Sequence, residues 1–97
     1  MNIVTLEEIK ANARIDSQED DILLEQIGEA AEQTVLNLLE RDLDDIRAEF
    51  HCVPAPIKQA VLMMATHLYE YRGVVNPTAL YNVPYSIDAM LKPYIRL

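Results

Sequence analysis

The chain has 97 residues, of which 51% are hydrophobic and only two are glycine, so it suits one small domain and is too apolar for a disordered segment. Sixteen Asp and Glu against eight Lys and Arg give a net charge of −8, which argues against a grip on nucleic-acid phosphates. From the length we expect one domain over residues 1–97. The single cysteine excludes an internal disulfide and the first residues lack a signal-peptide pattern, so we expect the protein to be made in the cytoplasm.

Two helices are predicted in the first half of the chain. Thr5 and Glu8 have the spacing of a capping box and predict a short helix over residues 6–13. Ser17, followed by acidic residues, indicates a second start, and a long amphipathic helix is predicted over residues 18–40. The expected solvent-exposed side of this helix carries Glu25, Glu29 and Glu32, and its expected apolar stripe consists of Leu23, Ile27, Ala30, Ala31, Thr34, Val35, Leu38 and Leu39.

The middle of the chain predicts a second, more apolar helix. Residues 41–55 have rough helical spacing and predict a short helical turn or an ordered loop. Pro56 suits the first position of the next helix, which is predicted over residues 56–72 and capped by Gly73. This helix is apolar on nearly all sides but too short to cross a bilayer, so the rest of the chain or a neighbouring copy must cover it.

A last short helix is predicted near the C-terminus, over residues 87–92. Ser86 is its expected cap and Pro93 the residue that stops it, and Asn76-Pro77 indicates a turn before it. The elements together predict an all-α fold. It is a small helical domain with one long amphipathic helix, one buried central helix and short flanking helices.

The charge of the chain is unevenly distributed. Residues 1–50 carry 14 acidic and 4 basic side chains, a net charge of −10, whereas residues 51–97 carry 2 acidic and 4 basic ones, a net charge of +2. A solvated acidic surface is one interpretation. The other is a polar protomer whose acidic side meets the neutral-to-basic side of the next copy, and such head-to-tail contacts close into rings.

No pattern of a catalytic or metal site stands out. His51 and Cys52 are adjacent and His67 follows at some distance, but a zinc site needs about four ligands in recognisable pairs. A cysteine and a histidine without a third orienting group are also a weak sign of a thiol nucleophile. We therefore expect no enzyme activity, no cofactor and no metal, and Cys52 has no assigned role.

The five tyrosines all lie in the last third of the chain. Base stacking is one use of such residues, but interleaved Arg and Lys are lacking. Tyrosine is also favoured where a surface becomes buried against a partner while the hydroxyl keeps a hydrogen bond. We predict a subunit or partner interface that includes Tyr69, Tyr71, Tyr81, Tyr85 and Tyr94.

Several stretches, taken in their order and spacing, resemble one protein family. They are TLEEIK at 5–10, RID at 14–16, EDD at 19–21, PIKQA at 56–60, HLYEYR at 67–72 and VPYSIDAMLKPY at 83–94. This pattern resembles the small head–tail connector proteins of long-tailed bacteriophages and prophages, also called head-completion or DNA-packaging proteins. Residues 43–53 depart from it, and Asp42, Asp44 and Asp45 stand where the family has basic or small residues.

The resemblance implies a helical protomer that forms a ring of about a dozen copies below the portal. Such a ring lies in the virion neck, extends the DNA channel and joins head to tail, with the portal and the next connector, stopper or tail protein as partners. DNA would pass without specific binding, and an acidic channel wall of Glu25, Glu29 and Glu32 would repel its phosphates.

The alternative is a small acidic regulatory module, anti-sigma-like or antitoxin-like, that acts as a monomer or dimer. Neither interpretation involves a membrane.

Overall fold

A computed structural model describes residues 1–70 and 85–95, with the backbone alone for the first two residues of the second stretch. Within these residues the chain forms five α-helices and no β-strand. The helices are α1 (Leu6–Ala13), α2 (Asp21–Leu39), α3 (Leu43–Phe50), α4 (Ala55–Glu70) and α5 (Tyr85–Leu91), and a 3-10 turn, Lys92–Tyr94, follows α5. The predicted all-α fold is confirmed, with α2 as the long amphipathic helix and α4 as the buried central one.

The capping box predicted at the start of α1 is confirmed. The Glu8 amide donates to the Thr5 hydroxyl at 3.2 Å, and the Thr5 amide donates to the Glu8 carboxylate at 2.9 Å. Lys58 of α4 also forms an ion pair with Glu8. The hydrogen bond from Lys58, followed by that from the Thr5 backbone, lowers the pKa of Glu8. Glu8 therefore fixes the start of α1 and joins this helix to α4.

The long helix α2 begins three residues later than predicted. Asp20, and not Ser17, holds the N-cap position, and its side chain makes no capping hydrogen bond. The Asp20 carboxylate instead accepts the Tyr69 hydroxyl at 2.6 Å, which ties the start of α2 to the end of α4. The start predicted from Ser17 is therefore wrong, because a contact between distant residues, rather than a local cap, organises the first turn.

The buried face of α2 differs slightly from the predicted stripe. Leu24 is fully buried although the stripe omits it, and Ala30 is exposed although the stripe includes it. Gly28 is buried where α2 meets α1 and the N-terminal residues. A Cβ atom on Gly28 would overlap the sulfur of Met1 and lie 2.8 Å from Cδ1 of Ile9. The absence of a side chain therefore permits this close approach.

Residues 41–55 contain a regular helix, α3, which settles the choice between a helical turn and a loop. Asp42 is its N-cap and accepts the Asp45 amide at 2.8 Å, while Asp44 and Asp45 lie in the first turn. Acidic residues are favoured at these positions because they satisfy free amides and interact favourably with the helix dipole. The aspartates that depart from the family pattern thus have a local structural role.

The apolar helix α4 is covered by its own chain. It packs against α1, α2 and α5. Its most deeply buried residues are Ile57, Ala60, Val61, Met64 and Ala65. The helix begins at Ala55, so Pro56 is its second residue rather than its first, and the Pro54 carbonyl accepts the Ile57 amide at 3.0 Å. Gly73 and the end predicted at residue 72 lie outside the described residues.

Helix α5 begins before the predicted cap. Ser86 is the second residue of this helix, so its predicted capping role is wrong. The helix ends at Leu91 and Pro93 lies in the 3-10 turn that follows, in agreement with the prediction that this proline stops it. Ile87 and Leu91 are fully buried in the common core. The predicted turn at Asn76-Pro77 lies outside the described residues.

In the described parts of the chain, three helices end on a non-glycine residue in the left-handed conformation, and these residues are Arg14, Glu40 and His51. A side chain costs about 1–2 kcal/mol in that conformation, although glycine gains entropy in the unfolded chain. We expect Glu40→Gly (φ 56°) to raise the free energy of unfolding by about 0.5–1 kcal/mol in thermal unfolding followed by circular dichroism. Glu25→Gly, on the exposed face of α2, should lower the free energy of unfolding by about 1 kcal/mol. A similar fall for Glu40→Gly would contradict the prediction.

Candidate assembly surfaces

Glu32 is buried, which corrects the prediction that it lies on the solvent-exposed side of α2. Only 7% of this residue is exposed. Its carboxylate accepts the backbone amides of Asn2 at 3.0 Å, Ile3 at 2.8 Å and Val4 at 3.1 Å. Residues 2–4 lie outside any helix, so their buried amides need an acceptor from elsewhere. Glu32 therefore anchors the N-terminal segment to α2 and is not part of the exposed face of this helix.

A groove of about 500 Å³ lies beside this N-terminal segment, and we call it the acidic groove. It is lined by Met1, Val4, Thr5, Leu6, Glu7, Glu25 and Glu29. Glu25 and Glu29 are exposed and lie one turn apart on α2, which confirms their predicted exposure. Three carboxylates thus surround a surface to which apolar side chains also contribute. Whether Glu25 and Glu29 line a DNA channel stays a prediction.

A second groove, of about 520 Å³, lies between α3 and the C-terminal turn, and we call it the C-terminal groove. It is lined by Arg41, Asp45, Ala48, Glu49, Phe50, Pro93, Tyr94 and Ile95. Arg41 donates to Asp45 at 2.6 Å and forms an ion pair with Glu49. The hydrogen bonds to Asp45 and then Glu49 raise the pKa of Arg41.

Arg41 also holds the C-terminal turn against α3. Its guanidinium donates to the Tyr94 carbonyl at 3.3 Å and lies 5.4 Å from the centre of the Phe50 ring. The rings of Phe50 and Tyr94 meet edge to face, with centroids 5.5 Å apart. The sequence analysis did not connect Arg41 or Phe50 with the C-terminal turn, because Tyr94, which both of them contact, lies more than forty positions further along the chain.

Two of the predicted interface tyrosines already have partners within the chain. The Tyr69 hydroxyl bonds to Asp20, and the Tyr94 ring packs on Phe50. Both residues are partly exposed, so a further contact with a partner stays a prediction. Tyr71, Tyr81 and the side chain of Tyr85 lie outside the described part of the chain.

The residues considered for metal binding do not come together. Among residues 1–70 and 85–95, no three His, Cys, Asp or Glu side chains are grouped so that they could hold a metal ion. His51 ends α3 in the left-handed conformation, and Cys52 beside it is an exposed free thiol. None of the helices in these residues combines the length and the hydropathy that a membrane crossing requires.

Comparison with known proteins supports one family. The model of a family described as phage gp6-like head-tail connector protein matches residues 3–95, which is nearly the whole chain. No curated protein and no solved structure gives a significant match. The family match covers all five described helices, the buried Glu32 and every residue that lines the two grooves except Met1.

Proposed function

Because the chain belongs to the family of phage gp6-like head-tail connector proteins, we propose that it is a structural adaptor of the virion neck. In this proposal it forms a ring below the portal, extends the DNA channel and joins the head to the next connector, stopper or tail protein. The observation that carries the proposal is the family match over residues 3–95.

Three features of the molecule support an assembly role. The protomer is helical, and its acidic groove and its C-terminal groove lie on different parts of its surface. The two halves of the chain have net charges of −10 and +2, so copies can attract one another head to tail. We assign no catalytic step to the chain, because the proposed role requires only contacts between proteins.

The acidic character also suits a conduit that DNA must leave freely. Carboxylates repel the phosphates of DNA. Lys and Arg, in contrast, displace condensed counterions from DNA when they bind it, and this release strengthens binding. Glu25 and Glu29 are exposed and are the two residues for which a channel wall is proposed. A contact with a neighbouring copy in the ring is the competing role for these two residues.

The proposal predicts the mass of the assembled protein. About a dozen copies of an 11.1 kDa chain give a species on the order of 130 kDa. We expect this species in mass photometry and ring images in negative stain, either from the protein alone over a range of concentrations or after addition of the portal protein.

A discrete monomer or dimer that persists with the portal present would contradict the adaptor role. A monomer or dimer that bound a basic protein partner would favour the regulatory alternative. Addition of an unrelated ring-shaped protein of similar size is the matched control, because it tests whether assembly depends on the portal.

A further inference from the structure

The acidic groove lacks a cationic side chain to balance it. Within residues 1–70 and 85–95, Glu7 and Glu25 form no ion pair, and Glu29 lies 3.9 Å from the amino nitrogen of Met1 with 72% of its side chain exposed. The three carboxylates line one groove, and a cation bound there would be attracted to all of them. The apolar side chains of Met1 and Leu6 also line the groove, so it suits a cation on an aliphatic stem.

Few cations of the described chain are free to fill such a groove. Lys10, Arg41 and Lys58 are held in ion pairs, and Arg47 donates to the Asn2 carbonyl at 3.4 Å. Within the same residues, Arg14 and Lys92 are the cations without a polar partner. Arg14 stands in the strongly acidic half of the chain, close in sequence to Asp16 and Glu19.

Lys92 has the better surroundings for a contact with acidic residues. It belongs to the half of the chain with a net charge of +2, and it is exposed at the start of the C-terminal turn. Its neighbours Ala89 and Pro93 are also exposed and uncharged. Asp88, one turn earlier, is exposed as well. The ammonium group of Lys92 and the uncharged side chains beside it complement an acidic groove that is partly apolar.

Lys92 and the acidic groove lie on separate parts of one protomer. Tyr94 and Arg41 hold the C-terminal turn against α3, beyond the C-terminal end of α2. Glu25 lies in the first part of α2, about 20 Å along the helix from that end. A contact between the two surfaces therefore joins different copies. Because the surfaces differ, it is a head-to-tail contact, which generates rings or filaments.

We propose that the acidic groove of one copy receives Lys92 of the next copy. The aliphatic stem of Lys92 lies along Met1 and Leu6, and its ammonium group lies among the carboxylates of Glu7, Glu25 and Glu29. This inference rests on the proposed ring and names its subunit contact. It competes with the channel-wall role for Glu25 and Glu29, because a carboxylate in a subunit contact does not face the lumen.

Exchange of the charges tests the contact. The variants are Glu25→Lys with Glu29→Lys, then Lys92→Glu, and finally all three substitutions together. We expect the first two variants to need at least tenfold more protein for half-maximal assembly, because like charges then meet, and the triple variant to recover most of the loss. Mass photometry of the full chain, alone and with the portal protein, measures this.

The matched control replaces two exposed acids outside the groove, Asp16→Lys with Glu19→Lys, and makes the same change in net charge as the double groove variant. Thermal unfolding confirms that each variant folds. Rings of wild-type mass from both charge-reversed variants would overturn the contact and leave the adaptor function intact, and retention of DNA in such rings would place Glu25 and Glu29 in the channel. Failure of the wild-type chain to assemble with the portal would overturn both.

Discussion

Replacing Glu32 with glutamine is expected to lower the free energy of unfolding by about 2–3 kcal/mol, because the carboxylate is the acceptor for three backbone amides. A glutamine of the same size has one carbonyl oxygen, and its NH₂ group would face the amides of residues 2–4 as a second donor. For a chain of this length the loss corresponds to a melting temperature lower by roughly 10–20 °C.

Thermal unfolding and hydrogen exchange of the amides of residues 2–4 measure this effect. We expect these amides to lose protection before the rest of the protein unfolds, since the N-terminal segment can detach while the other helices stay packed. Glu25→Gln is the matched control on the same helix, and its exposed side chain should change the stability by less than about 0.5 kcal/mol. Equal stabilities for the two variants would show that the hydrogen bonds from residues 2–4 to Glu32 contribute nothing to the free energy of unfolding.

Removal of residues 84–97 is expected to unfold the protein rather than only to weaken its assembly. Ile87 and Leu91 are fully buried and pack with α4 in the common core. Either residue replaced by alanine should lower the free energy of unfolding by about 2–5 kcal/mol. Loss of both, with the rest of α5, approaches the total stability of a small domain, which is about 5–15 kcal/mol.

Urea denaturation of Leu91→Ala measures the effect, with Asp88→Ala as the control because Asp88 is exposed on the same helix. A truncated chain that kept its helical circular dichroism and a cooperative transition would contradict the prediction. The same result bears on the interface: deletion of the C-terminal segment cannot test a subunit contact if the monomer no longer folds. Single substitutions such as Tyr85→Ala or Lys92→Glu test that contact without removing the core residues.

Local chemistry explains which helices the sequence analysis located well. Thr5 and Glu8 cap α1 through atoms three residues apart, so the pattern and the structure agree to the residue. The start of α2 was misplaced because Asp20 bonds to Tyr69, which lies 49 residues away. A local pattern carries no information about such a partner. The predicted cap at Ser86 is also displaced, since α5 begins one residue before it.

The predicted acidic site illustrates the same distinction. Glu25, Glu29 and Glu32 look alike in a helical pattern, since all three are acidic residues on the predicted solvent-exposed side of the long helix. The structure separates them: Glu25 and Glu29 line the acidic groove, whereas Glu32 turns inward to the amides of residues 2–4. The donors for Glu32 lie 28 to 30 residues earlier, which places this contact beyond the reach of periodicity.

Local periodicity, composition and the order of motifs are enough to predict the all-α class, the approximate bounds of the helices, the uneven distribution of charge along the chain and the connector family. Three further properties follow only from the tertiary structure. Helix α4 is covered within its own chain, the buried Glu32 binds the amides of residues 2–4, and Arg41 joins α3 to the C-terminal turn. Those outcomes depend on which distant residues meet, and contacts of this kind are set by the packing of whole helices rather than by any single segment.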